Sequence, residues 1–225
     1  KKNYILLFLQ IAAIAVSGVL GGDTTFALIT ALIGITFNFL VSMNIAPGFL
    51  FGFVYAVCNG ILAWQTNVYA TFVFMIFMQA PMALYSLRKW HGKKKETEAI
   101  MKKMDRRELT SMVVGAIVLF VIMTGILSAI NGAFNANVLF DTFFFVCSVT
   151  ACIGLAACYK NAYIVNHGSG IGGTILWLYK AITMETGISM AVFFAIVALN
   201  SALAVQQQYG KSSRRAAVEF VEQGI

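Results

Sequence analysis

The stretch Ser111–Ile130 reads SMVVGAIVLFVIMTGILSAI and carries no charge. About 20 apolar residues, rising 1.5 Å each, make a helix long enough to cross the hydrocarbon of a bilayer. The stretch therefore predicts a membrane-spanning helix. A membrane β-barrel would show segments of about ten residues alternating apolar and polar, and the sequence has none.

Seven more apolar runs flank it: Tyr4–Leu20, Thr25–Met43, Gly48–Gln65, Tyr69–Leu87, Leu139–Cys158, Ala162–Ala181 and Gly187–Gln206. Of the 225 residues 60% are hydrophobic and 11% charged, and the mean hydropathy is +0.81. A soluble domain carries about 25% charge, so the excess fits a chain solvated mostly by lipid. The expectation is an all-α, polytopic membrane protein with eight transmembrane helices. The first run follows Lys1 and Lys2 and is long for a signal sequence, with no clear cleavage site after it, so it reads as a retained helix.

Charge sets the orientation. Nine Lys/Arg lie between Arg88 and Arg107, Lys160 lies between the sixth and seventh runs, and Lys211, Arg214 and Arg215 follow the last. With eight crossings all of these fall on one side, with Lys1 and Lys2. The opposite loops, residues 21–24, 66–68, 131–138 and 182–186, read as free of Lys and Arg. The positive-inside rule then places both termini in the cytoplasm of a multi-pass protein in the cell (inner) membrane. The polar stretch Lys93–Glu108 is expected to be a short cytoplasmic helix or a solvated linker.

The same pattern excludes other functions. The net charge of +7 lies in loops while the aromatics lie in apolar runs, which argues against nucleic acid. Cys58, Cys147, Cys152 and Cys158 fall inside apolar runs without disulfide or zinc spacing. No paired carboxylates or histidine cluster suggests an enzyme, and no cofactor is expected. Gly168-Ser169-Gly170-Ile171-Gly172-Gly173 looks like a nucleotide loop but lacks a preceding strand. Close helix packing or local bending is its expected role.

Two stretches repeat in layout. Asp23-Thr24-Thr25-Phe26 opens the second run and Asp141-Thr142-Phe143-Phe144 the sixth, and Thr30 and Ser148 share one offset from the two aspartates. Each stretch begins three helices. The triplets run parallel only if an odd number of helices joins them, and Ser111–Ile130 is that joining helix. The expected arrangement is 1+3+1+3: an extra helix (residues 1–22), a first three-helix bundle (23–90), a linker with its helix (91–138), a second bundle (139–210) and a cytoplasmic tail (211–225). Transporters built this way bind substrate near the membrane midplane between repeats.

Polar groups inside lipid are costly unless they face protein or a wet cavity. Asn38, Asn59, Gln79, Asn166 and Asn200 are therefore candidate substrate ligands, since an amide both donates and accepts. Trp64, Tyr163, Trp177 and Tyr179 are candidates to stack on a ring or hold a cationic one. Trp64, Tyr69 and Trp90 also fit an interfacial belt. Asp23, Asp141, Lys160 and Glu185 fall at span ends, which favours a carrier without ion coupling. A membrane scaffold or signalling subunit is the alternative class.

The first triplet reads Asn44-Ile45-Ala46-Pro47-Gly48-Phe49-Leu50-Phe51-Gly52-Phe53-Val54-Tyr55, then Ala63-Trp64-Gln65, Tyr69-Ala70, Gln79-Ala80-Pro81-Met82 and Trp90. The second reads Asp141-Thr142, Ser148, Tyr159-Lys160, Leu176-Trp177-Leu178-Tyr179 and Leu199-Asn200-Ser201. In order and layout, from about Asp23 to Gly210, this resembles the PnuC family of vitamin transporters. The resemblance implies a SWEET-like three-one-three core and a homotrimer. It also implies facilitated diffusion of nicotinamide riboside, retained by phosphorylation inside the cell, or of thiamine, riboflavin or a deoxynucleoside. The family's usual Trp-x-x-Trp pair is matched here by Tyr163 and Asn166, with Gly170 at a later polar position. A usual asparagine is matched by Met75 and a usual glutamine by Ala83. The substrate box is thus remodelled.

Overall fold

A computed structural model describes residues 2–91, 94–95, 98–99 and 102–222. Its eight long helices follow the apolar runs. They are α1 (Lys2–Leu20), α2 (Thr25–Ser42), α3 (Gly48–Gln65), α4 (69–91), α5 (Arg106–Asn131), α6 (Ala136–Ala156), α7 (Ala162–Met184) and α8 (Ile188–Glu222). Six of them are long and apolar enough to cross a membrane, and α1 is a shorter apolar helix. The 23-residue α7 is not among the six because Asn166, His167, Lys180 and its glycines dilute its hydropathy. This is a multi-pass membrane protein.

Side chains set the helix ends. Thr24 caps α2, accepting the Ala27 N–H at 3.2 Å. Asp105 and Glu108 form a reciprocal capping box on α5, and Gly132 stops that helix in the left-handed region at φ 71°. Each device satisfies backbone groups that a helix end leaves open. The last helix runs on past the expected start of the tail, to Glu222.

Six helices form a ring in the order α2, α3, α4, α6, α7, α8, closing back on α2. Outside the ring, α1 packs on α2 and α8, while α5 packs on α6 and touches α4. Leu127 is the one buried residue of α5, so that helix gives most of its apolar surface to lipid. α7 and α8 cross closely. A Cβ on Gly170 would stand 2.6 Å from the Ala198 backbone nitrogen, so only glycine fits there. This is the close packing expected of the glycine run.

Two readings need correction. Of the two forms expected for Lys93–Glu108, the described residues exclude a short helix ahead of Arg106 and fit a solvated linker, since Lys102, Lys103 and Asp105 are exposed; residues 93, 96–97 and 100–101 lie outside the described residues. Lys94–Lys95 pairs antiparallel with Glu98–Ala99, and α5 starts only at Arg106. Lys102 pairs with the turn after α6, donating its N–H to Cys158 O and accepting from Lys160 N, both at 2.9 Å. That turn has open backbone groups because Cys158 adopts φ 61°. Lys102 Nζ also donates to the Tyr159 hydroxyl at 2.9 Å, a contact that raises the lysine pKa. Tyr159 in turn donates to Glu108.

The second correction concerns charge. Lys180 lies inside α7, within a span expected to hold no Asp, Glu, Lys or Arg away from its ends. It is buried and donates to the Thr66 carbonyl, the end of α3, at 3.1 Å. A buried cation satisfied in this way adds little to the loop charge that sets orientation.

Candidate functional site

A cavity lies inside the six-helix ring. Its polar wall comprises Asn38 and Ser42 of α2, Tyr55 of α3, Gln79 and Ser86 of α4, Ser148 of α6, and Tyr163, Asn166 and Ser169 of α7. Its aromatic wall comprises Phe37, Phe49, Phe74, Phe144, Phe193 and Phe194. No Asp, Glu, Lys, Arg or His lines it. Its volume is about 70 Å³. One water needs roughly 10–15 Å³, so the space admits several waters. No cluster of His, Cys, Asp or Glu able to hold a metal occurs among the described residues.

Most amides here have one end fixed by protein. Asn166 Nδ2 donates to Ser201 Oγ at 2.7 Å, and Asn200 Nδ2 donates to Asn38 Oδ1 at 3.3 Å. Ser148 and Ser169 share a hydrogen bond of 2.7 Å. Gln79 differs. It ends a π-helical turn, Met75–Gln79, inside α4. Such turns insert extra backbone and often mark functional positions. Its amide lines the cavity and bonds to none of the described residues, so both its donor and its acceptor are open to a ligand.

The sequence candidates divide. Asn38, Gln79, Tyr163 and Asn166 line the cavity. Asn59, Trp177 and Asn200 do not. Asn59 is fully buried and donates to the Tyr55 hydroxyl at 3.0 Å. Trp177 is also fully buried, with its indole N–H unpartnered, and packs on Gly187. Asn200 stands behind Asn38. Tyr179 instead pairs with Phe140. Trp64 is exposed and meets Tyr69 edge-on, as an interfacial belt requires. Trp90 is not in such a belt: it is buried and donates to Leu155 O at 3.0 Å. The departure positions Met75, Ala83, Tyr163 and Asn166 all fall on the cavity wall, whereas Gly170 serves packing.

Sequence reasoning passed over Tyr55, Ser169 and the α8 phenylalanines as ligands. A serine or phenylalanine in an apolar helix carries no distinguishing signal, because serine can bond its own helix and phenylalanine belongs in any core.

Both ends of the cavity are held. At one end Asp23, in the turn before α2, accepts the N–H groups of Gly187 at 2.6 Å, Ile188 at 3.2 Å and Ser189 at 2.6 Å, capping α8. Asp141 of α6 accepts from Ala70 N at 3.1 Å, Thr71 N at 3.3 Å and the Thr71 hydroxyl at 2.7 Å, capping α4. Carboxylates suit helix N-termini, where open N–H groups and the dipole favour negative charge. The spacing from Asp23 to Asp141 equals that from Thr71 to Ser189, so the capping is reciprocal across the ring. At the other end Tyr163 donates to Val41 O at 2.9 Å and Asn44 Oδ1 at 2.8 Å.

A search of curated proteins finds no match. Among solved structures, the crystal structure of the vitamin B3 transporter PnuC superposes with a TM-score of 0.80 at 16% identity. The match covers 95% of this chain and 93% of that one, and at such identity it shows a shared fold. The profile of nicotinamide mononucleotide transporters matches residues 24–204, which contain every residue lining the cavity. The chain belongs to the nicotinamide mononucleotide transporter family, as its resemblance to PnuC proteins implied.

Proposed function

We propose that this protein carries nicotinamide riboside by facilitated diffusion, with phosphorylation inside the cell retaining what enters. The observation that carries the reading is the uncharged cavity with aromatic walls and free amide groups. A pyridinium ring fits aromatic faces through cation–π attraction. A ribose and a carboxamide fit groups that donate and accept. A phosphate would want Arg, Lys or a helix N-terminus, and the cavity wall has no such cation. This favours the riboside over the mononucleotide in the family's name.

The mechanism is alternating access. The bundles at 23–90 and 139–210 rock about the cavity, with α5 as the joining helix of a 1+3+1+3 arrangement and both termini cytoplasmic. Reciprocal aspartate capping supports like-oriented bundles. The cavity wall has no Asp, Glu, Lys, Arg or His for an ion to use, which supports uncoupled flux. The homotrimer expected from the resemblance is checked by the mass of the detergent-solubilised particle.

The test is flux into proteoliposomes of purified protein. Labelled nicotinamide riboside equilibrates saturably, and a trapped riboside kinase with ATP raises accumulation above equilibrium. Thiamine, riboflavin and a deoxynucleoside are run beside it. Saturable flux of one of these without flux of the riboside replaces the substrate and keeps the carrier. No saturable flux of any of them overturns the reading.

A further inference from the structure

α1 lies outside the ring and ahead of the family match, which begins at residue 24. Its exposed surface is apolar, with Tyr4, Ile5, Phe8, Leu9, Val16 and Val19 turned out. Gln10 is its buried polar residue. Its Nε2 donates to Asn200 Oδ1 at 2.6 Å, and its Oε1 accepts from Asn200 Nδ2 at 3.2 Å. Asn200 Nδ2 also donates to Asn38 Oδ1 at 3.3 Å. The three amides form one chain from α1 through α8 to the cavity wall on α2.

That chain has a directional result. Asn38 Oδ1 is turned back to Asn200, so Asn38 Nδ2 is left for the cavity. Asn166 is held oppositely: its Nδ2 is used by Ser201, and its Oδ1 is left over. The cavity then offers a donor on α2 and an acceptor on α7, the complement of an amide or a hydroxyl. Without Gln10, Asn200 is free to turn its own oxygen to Asn38 and reverse that donor. Helix glue alone does not explain the chain, because apolar Met82 and Ala156 hold the repeat-related positions of Asn200 and Asn38.

The geometry points to Gln10 as a positioning residue: through Asn200 it holds Asn38 as a hydrogen-bond donor to the transported molecule. The binding half of this inference rests on the proposed carrier function, and the orientation half does not.

Two measurements test it. First, side-chain amide signals are recorded for protein labelled with ¹⁵N-asparagine in nanodiscs, with Asn38 assigned by its loss in Asn38→Ala. In Gln10→Leu and the volume-conserving Gln10→Met, the Asn38 amide shifts and exchanges faster with solvent. An unchanged Asn38 signal in either folded variant overturns the proposal whatever the substrate. Second, nicotinamide riboside binding is titrated. Gln10→Leu weakens it about fivefold, the scale of one hydrogen bond. The double variant with Asn38→Ala binds no worse than Asn38→Ala alone, and additive losses overturn the relay. If wild type fails to bind nicotinamide riboside, the substrate assignment falls and the amide signals decide the relay.

Discussion

Asp141 of α6 holds Thr71 of α4 by both its hydroxyl, at 2.7 Å, and its N–H, at 3.3 Å. Lys180 lies close enough to act on this carboxylate electrostatically. Asp141→Ala therefore opens the first turn of α4 and removes a negative charge from the surroundings of a buried lysine. Breaking a buried charge arrangement costs about 3–5 kcal/mol. A large drop in the unfolding midpoint in detergent is the expected result.

Asp23 plays the equivalent part for α8, with no ion pair among the described residues. Asp23→Ala removes only a cap, which costs about 1–2 kcal/mol. Thermal unfolding of the two variants side by side should place Asp141→Ala clearly lower. Equal losses would mean that Lys180 contributes nothing to the difference.

Gln79 lines the cavity with an unpaired amide. Gln79→Ala is expected to weaken substrate binding about tenfold with little change in melting temperature, since no protein bond is lost. Asn166→Ala should lower both, because Ser201 loses its partner. Isothermal titration together with a melting curve separates the two cases.

The glycines of α7 are not equivalent. A Cβ at Gly170 would meet the Ala198 backbone, whereas at Gly168 the nearest atom is Cys147 Sγ at 3.8 Å. Gly170→Ala should destabilise by about 1–3 kcal/mol or fail to fold. Gly168→Ala should be neutral or slightly stabilising, because alanine favours helix. If Gly168→Ala abolishes flux without unfolding the protein, that glycine serves motion and not packing.

Trp177→Phe should leave equilibrium affinity within about twofold, since the indole stands away from the cavity wall and makes no hydrogen bond to lose. A loss of tenfold or more in titration would place Trp177 in the binding site.

Each apolar run marked one helix, because lipid makes length and hydropathy decisive, but polar helix ends went unread: α5 starts at Arg106 and α8 runs on to Glu222. The aspartate repeat was legible for the same reason: a charge at a span end stands out. Cavity residues were legible where an amide interrupts an apolar helix, as at Asn38, Gln79 and Asn166, and at Tyr163, an aromatic with a polar tip. Which amide faces the cavity and which stands behind it depends on helix rotation, and a conformation set by neighbouring helices leaves no local trace. Asn200 and Asn38 looked alike in sequence and differ by one layer of packing. Lys180 escaped notice because a cation near a span end normally reaches water, and here the Thr66 carbonyl takes its place.

The wide turn Met75–Gln79 makes α4 unlike α8, which is regular over the corresponding stretch. One residue of α-helix corresponds to about 100° of rotation. Deleting a single residue there would let the segment anneal to ordinary geometry. Its lower portion would then swivel, carrying Ala83, Ser86 and Trp90 off their partners together. That half of α4 is thus phased by one surplus residue, so a length change of one at this point should be far more damaging than any single side-chain replacement within it.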